Sequence, residues 1–467
     1  MRCIVIAVLA LVMLSGCGSD SKSGESNSGG IPLSITGSNP GTQQPEISKL
    51  PTVEQYAQAV KQLMQKANAA VVAGRNPVAI ESLSQAIGVN PDDASLFRMR
   101  ADVYSLQGEY ANARADFSTA VRLSPDNADL YNFRGYFLLS QNLTAEARAD
   151  FDKAVQLNAK HSAALNNRGL LSLATPDFKA AEADFTRAIE ADRKYSDAWN
   201  NRGFARMKMD QLDTALTDIK QAIRLNDKYV NAWNNCGLIQ MQQQNYEDAR
   251  TSFSRAVELD PMDARWLNHR RAALIKLNRF ADAQKDNQKI EWLAGLTELT
   301  QQAGRDARNP NAWMTRARHL MRGSQYGAAV QDFTRALIVS PGNHEALSGR
   351  AFAWVETGDF QKAMLDCDES LVAKPTQEAY SLRGDLWLRL ENLDQAIADF
   401  ESAGRFDEQV AVAYEKRSTK HREAGAGKEA EADTARAKEI REAMTDKSAS
   451  ANQPTSTTEG FDPNVDR

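Results

Sequence analysis

The five histidines and four cysteines of this 467-residue chain are its best candidates for metal or nucleophilic chemistry. His161, His269, His319, His344 and His421 are scattered, with no pair at the i, i+4 spacing that puts two imidazoles on one helix face. Cys236 and Cys367 lie far apart and read as buried free thiols. No nucleophile elbow, phosphate-binding glycine loop or HExxH stretch occurs. Catalysis has no foothold here, and no cofactor or metal is expected. The polar residues that do recur offer different chemistry. Asn132, Asn166, Asn200, Asn234 and Asn268 follow one another at intervals of 34, and Asn167, Asn201 and Asn235 stand beside three of them. An amide donates and accepts at once, so a ladder of them matches the backbone of an extended peptide. Arg100, Arg134, Arg168 and Arg202 keep the same step, each followed 16 residues later by Asp116, Asp150, Asp184 and Asp218. Guanidinium and carboxylate suit a bidentate ion pair.

A repeated unit must position these residues. Phe117, Phe151 and Phe185 are 34 apart, and Ala113, Ala147, Ala181, Ala215 and Ala249 keep that step, as do Gly135, Gly169, Gly203 and Gly237. In Ala94–Asn127 the signature residues are Phe97, Ala101, Tyr104, Ala113, Phe117, Ala120 and Pro125. This pattern resembles the tetratricopeptide repeat, with bulky residues at position 4, small ones at 8, 20 and 27, an aromatic at 24 and proline at 32. Units start at 60, 94, 128, 162, 196, 230, 264, 310, 344 and 377, with a degraded one at 411. The resemblance implies an all-α protein, a right-handed superhelical solenoid of about 10–11 helical hairpins with helices A and B in each. One hairpin leaves an apolar face exposed, so neighbours must stack. The arginine at position 7 and the aspartate at position 23 then join helix A to helix B. Two units lack both partners: Lys66 goes with Ser82, and Cys236 with Ser252. Joint loss is what direct contact predicts, because a partly buried charge left alone is costly.

The seventh unit runs from Ala264 to Asn309, longer than its neighbours, and carries Arg271 where a small residue is expected. Trp292, Leu296, Leu299 and Ala303 keep helical spacing in the surplus. The expected organisation is repeats one to seven over 53–293, an inserted helical segment over 294–309, and repeats eight to eleven over 310–444. The last repeat, dense in Glu, Lys and Arg, is the polar cap an open stack needs. Residues 445–467 form a disordered tail.

The N-terminus reads as an address. Cys3–Leu14 is an apolar run, too short to span a membrane and suited to a signal peptide. Leu14-Ser15-Gly16-Cys17 resembles the bacterial lipobox. That resemblance implies a lipoprotein signal over 1–16, lipidation of Cys17 and a flexible tether over 17–52. The alternative is an ordinary secretory signal with a chance cysteine. A lipid anchor implies a membrane-held protein of the bacterial cell envelope, and Gly18, standing where an aspartate tends to retain enteric lipoproteins in the inner membrane, leans towards the outer membrane. Lys and Arg total 56 against 61 Asp and Glu, a net charge of −5, so a phosphate-gripping nucleic-acid binder is excluded.

In the repeat family helix A lines an inner groove. Here that face carries the asparagines together with Tyr136, Leu170, Phe204 and Leu238 at position 9. The resemblance implies other proteins as partners, held as a peptide or a helix in repeats three to six. The asparagines resemble, in part, the ladder of the O-linked N-acetylglucosamine transferase repeats; otherwise they are filler of this repeat type. A two-carboxylate clamp of Lys and Arg is not matched, since Asn132, Tyr136, Asn167, Asp197 and Asn201 stand at its positions. A scaffold or adaptor role is expected. A cell-wall glycan binder and a structural spacer are the other readings. Composition says nothing about oligomeric state.

Overall fold

The computed structural model describes residues 53–451, so Cys17, the signal segment and most of the tail lie outside the described residues. Those described form 22 helices and no strand. They alternate as hairpins. Ala94–Gln107 with Tyr110–Leu123 is the second, Ala128–Ser140 with Thr144–Leu157 the third, and Ser162–Ala174 with Phe178–Ala191 the fourth. Ser196–Lys208 with Leu212–Leu225 is the fifth and Val230–Gln242 with Tyr246–Leu259 the sixth. The described residues divide into two compact units, 53–261 with 272–278, and 262–271 with 279–451.

Small residues set the approach of the helices in each unit. Ala113, Ala147, Ala181, Ala215 and Ala249 are completely buried. Phe151, Phe185 and Phe253 are buried beside them, each contributing on the order of 2–3 kcal/mol. The ring leaves no space opposite: a Cβ on Gly169 would lie 2.7 Å from the Phe185 ring, and one on Gly237 2.5 Å from Phe253. The turn from A to B passes through a left-handed residue at position 15. That residue is glycine at Gly74, Gly108 and Gly358, but Asn142, Asp210, Gln244 and Glu391 adopt the same backbone with φ of 61°, 62°, 61° and 57°. Between repeats, the indoles of Trp199, Trp233 and Trp313 donate to the carbonyls of Arg193, Asp227 and Ala307 at 2.9, 2.8 and 2.9 Å. Each fastens the connecting loop to the start of the next helix A.

In the second unit the surplus of the seventh repeat continues its helix B as one element, Phe280–Arg305. Residues 306–309 then link to Pro310–Arg322. The extension is fastened by an exchange of bonds. Trp292 Nε1 donates to the His319 carbonyl at 3.0 Å, and His319 Nε2 lies 2.8 Å from the Trp292 carbonyl. The two rings stack at 5.4 Å and 6°. Gly323 gives the indole its space, for a Cβ there would lie 2.1 Å from it. The last hairpin, Glu408–Glu423 with Gly427–Ala451, buries Ala430, Ala437 and Ile440 and turns mostly polar side chains outward.

Candidate functional site

Two seams organise the repeats, and they decide which side chains are left for a partner. The first is the arginine clamp. Arg202 donates through Nε and Nη2 to both oxygens of Asp218, at 2.8 Å each, so helix A grips helix B of its own repeat. Arg100 holds Asp116, Arg134 holds Asp150 and Arg168 holds Asp184 in the same bidentate way. A third nitrogen reaches further. Nη1 of Arg202 donates to Thr186 Oγ1 at 3.3 Å, in helix B of the preceding repeat. Arg100 does so to Ser84 at 2.9 Å, Arg168 to Asp152 at 3.0 Å, Arg350 to Thr334 at 3.1 Å and Arg383 to Asp368 at 2.7 Å. Each of these arginines therefore ties three helices. The sequence held a signal for the third contact, an oxygen-bearing side chain 15 or 16 residues before the arginine, but its identity changes from repeat to repeat. Hydrogen bonding to Asp184 and Asp152 pushes the Arg168 pKa up despite burial.

The sixth repeat solves the same junction without charge. Cys236 replaces the arginine, Ser252 the aspartate, and Lys220 stands where an acceptor would be. Buried Gln240 fills the gap. Its side-chain amide lies 2.7 Å from the Ser252 hydroxyl and, with its nitrogen turned inward, reaches the carbonyls of Cys236 and Asp248 at 3.3 and 3.2 Å. Burial raises the Cys236 thiol, and pushes that of Cys367 up to about 12, so neither is activated.

The second seam is built from the asparagines. Asn167 Nδ2 donates to Asn132 Oδ1, Asn201 to Asn166 and Asn235 to Asn200, each at 2.9 Å. The amide at position 6 of one repeat thus holds position 5 of the repeat before. Asn132, Asn166, Asn200 and Asn234 are buried, all below 10% exposed, and Asn235 is buried with them. Asn268 donates instead to the Ala264 carbonyl of its own turn at 2.9 Å. The oxygens of Asn132, Asn166 and Asn200 are occupied between repeats and do not stand out as a row for an extended backbone.

Position 9 remains accessible. Leu170 is exposed, and Tyr136, Phe204 and Leu238 are half-buried. Leu139, Leu173 and Met241 at position 12 are half-buried beside them, while Met207 is buried. Positions 5, 6, 9 and 12 of repeats three to six carry no charged residue. Charges stand at the two borders. At position 2, Asp129 lies 3.0 Å from His161 Nε2, a contact that holds its carboxyl below the usual range. His161 Nδ1 meanwhile accepts from the Ala164 N–H at 3.3 Å and caps the helix. Asp197, also at position 2, meets the Tyr229 hydroxyl, whose pKa is pushed up chiefly by burial. At position 13 the Lys208 ammonium lies 5.2 Å from the Phe204 ring centre. Among the described residues no group of three His, Cys, Asp or Glu could hold a metal ion, and no helix is long and apolar enough to cross a membrane.

Comparison with known proteins agrees with this architecture. Family models described as tetratricopeptide repeat match residues 64–128, 98–162, 134–196 and 314–378, and two further models of that description match 196–229 and 230–263. None of the curated proteins matches the chain. Among solved structures, YrrB, titled a TPR protein with an unusual peptide-binding site, is 23% identical, with 39% of this chain and 94% of that one covered and a TM-score of 0.33. PilW, a type IV pilus biogenesis factor, is 22% identical over 46% of this chain and 99% of its own, with a TM-score of 0.41. PilF of Pseudomonas aeruginosa is 18% identical over 46% and 97%, also with a TM-score of 0.41. With more than half of its residues matched by models of one repeat, and every described residue helical or linking helices, the chain belongs to the tetratricopeptide-repeat family.

Proposed function

We propose that this chain is a protein-interaction scaffold of the bacterial cell envelope, held to a membrane through Cys17 and receiving partners on the helix A face of repeats three to six. The observation that carries the partner site is the strip at position 9. Four large hydrophobic residues recur there, one per repeat, beside asparagines whose amides at positions 5 and 6 join one repeat to the next. A half-exposed apolar strip bordered by charges suits a protein partner. The anchor rests on Leu14-Ser15-Gly16-Cys17 behind its apolar run. Two or more acyl chains hold a protein firmly at a bilayer.

The test compares wild type with Leu170→Lys/Phe204→Asp in crosslinking and affinity purification from membranes, after circular dichroism shows equal helicity. A partner recovered with wild type and lost with the variant supports the face. Equal recovery removes it. Cys17→Ser is expected to abolish incorporation of labelled palmitate and release the protein from membranes, and retention with no label incorporated in the wild type overturns the anchor.

A further inference from the structure

We infer that the occupant of this face is an amphipathic α-helix of a partner protein lying across repeats three to six, and not an extended peptide held by its backbone. This rests on the reading of the face given above. Three observations select the helix.

The first is what the asparagines do. A backbone-reading ladder needs free amide donors and acceptors. Here the oxygens of Asn132, Asn166 and Asn200 accept from the next repeat at 2.9 Å, and the residues are buried. An extended strand laid on them would find those three oxygens already taken as acceptors for its N–H groups.

The second is spacing. Packed helices stand about 8–10 Å apart, so Tyr136, Leu170, Phe204 and Leu238 form rungs at about that interval. An α-helix presents the same face every seven residues, about 10.5 Å along its axis. An extended chain presents one face at about 6.6 Å and again at about 13 Å, so its side chains fall out of step with the rungs. Four rungs span about 30 Å, the length of about 20 helical residues.

The third is the border. Asp129 and Asp197 stand at position 2 and Lys208 at position 13 of helix A. Eleven residues of helix separate the two borders by about 16 Å, room for a helix about 10–12 Å across. Between them lies the uncharged strip. The fitting occupant has leucine-like residues at i, i+3 or i+4, and i+7. One flank is basic, towards Asp129 and Asp197, and the other is acidic, towards Lys208.

The probe is a fluorescein-labelled synthetic 21-residue peptide. Leucines follow the heptad spacing, lysines take one flank and glutamates the other. A second peptide holds the same residues rearranged so that leucines alternate. Fluorescence anisotropy is read against the full chain, against Phe204→Asp and against Leu170→Lys, the latter a change at an already exposed position. The expected result is binding of the heptad peptide at least tenfold tighter than the alternating one, weakened tenfold or more by either variant. Asp197→Asn should weaken it by a few fold. If the alternating peptide binds as well or better, and the variants weaken it, the helix is overturned while the face stands. If neither peptide binds, or the variants change nothing, both fall.

Discussion

Repeats five and six are neighbours in the first unit and answer one packing demand in opposite ways. Repeat five places two guanidiniums, of Arg202 and Arg206, on one buried carboxylate, Asp218. Repeat six places an amide, a hydroxyl and a thiol in the same space. The difference teaches that the junction demands mutual satisfaction of buried polar groups and is indifferent to charge as such. A buried ion pair is strong only while complete; its desolvation cost makes either partner alone a liability.

The sharpest way to break the comparison is Asp218→Ala. It leaves Arg202 without its carboxylate and Arg206 with Glu182 alone, and is expected to cost about 3–5 kcal/mol in urea unfolding of the first unit. A loss below about 1 kcal/mol would show that the pair carries no such dependence. Next comes Asn200→Ala, which removes the acceptor of the Asn235 amide and is expected to cost about 1–3 kcal/mol. Asn231→Ala, an exposed change on the following helix, serves as its neutral control. The comparison is sharpened by transplanting repeat six into repeat five. Arg202→Cys/Arg206→Gln/Asp218→Ser should lose only about 1–2 kcal/mol, less than Asp218→Ala alone. A triple variant less stable than the single would mean that charge itself is required. The smallest effect is expected at Gln244, which takes a left-handed backbone at φ 61° in the turn of repeat six. Gln244→Gly should stabilise by about 0.5–1 kcal/mol, since strain relieved exceeds the freedom given to the unfolded chain. A loss of stability there would show the turn to be held by its side chain.

The sequence makes the repeat legible because helix-to-helix contact needs small residues at fixed steps. A step of 34 survives in Ala113, Ala147 and Ala181 without any knowledge of the fold. The arginine–aspartate interval is legible for the same reason. The third arm of the clamp is not, because Ser84, Asp152 and Thr186 serve equally as acceptors and share no letter. The asparagine seam shows why spacing alone misleads about a site. The column at position 5 invites a reading as a ladder facing a ligand. The pairing that matters runs at 35 residues, from Asn132 to Asn167 and from Asn166 to Asn201, and only side-chain direction reveals it. The border between the compact units is likewise hidden. The surplus length near 290–310 suggests a break there, yet the division falls over 262–278, where Arg271 bonds Asn287 at 2.5 Å in place of a small residue.

The clamp has one more consequence, for where this protein tolerates a change of length. In nine repeats the arginine and its aspartate are 16 residues apart, from Arg100–Asp116 to Arg417–Asp433. That includes the seventh repeat, whose extra residues all follow Asp286, and the junction of the ninth and tenth, where one residue is missing after Asp366. A residue gained or lost inside either helix of the interval would rotate the arginine or the aspartate about its helix axis and part the ions. Beyond the aspartate the chain is free to lengthen. One residue inserted within helix A, between Phe204 and Ala205, should therefore unfold the repeat, whereas length added after the aspartate is carried in the seventh repeat as further helix, Phe280–Arg305.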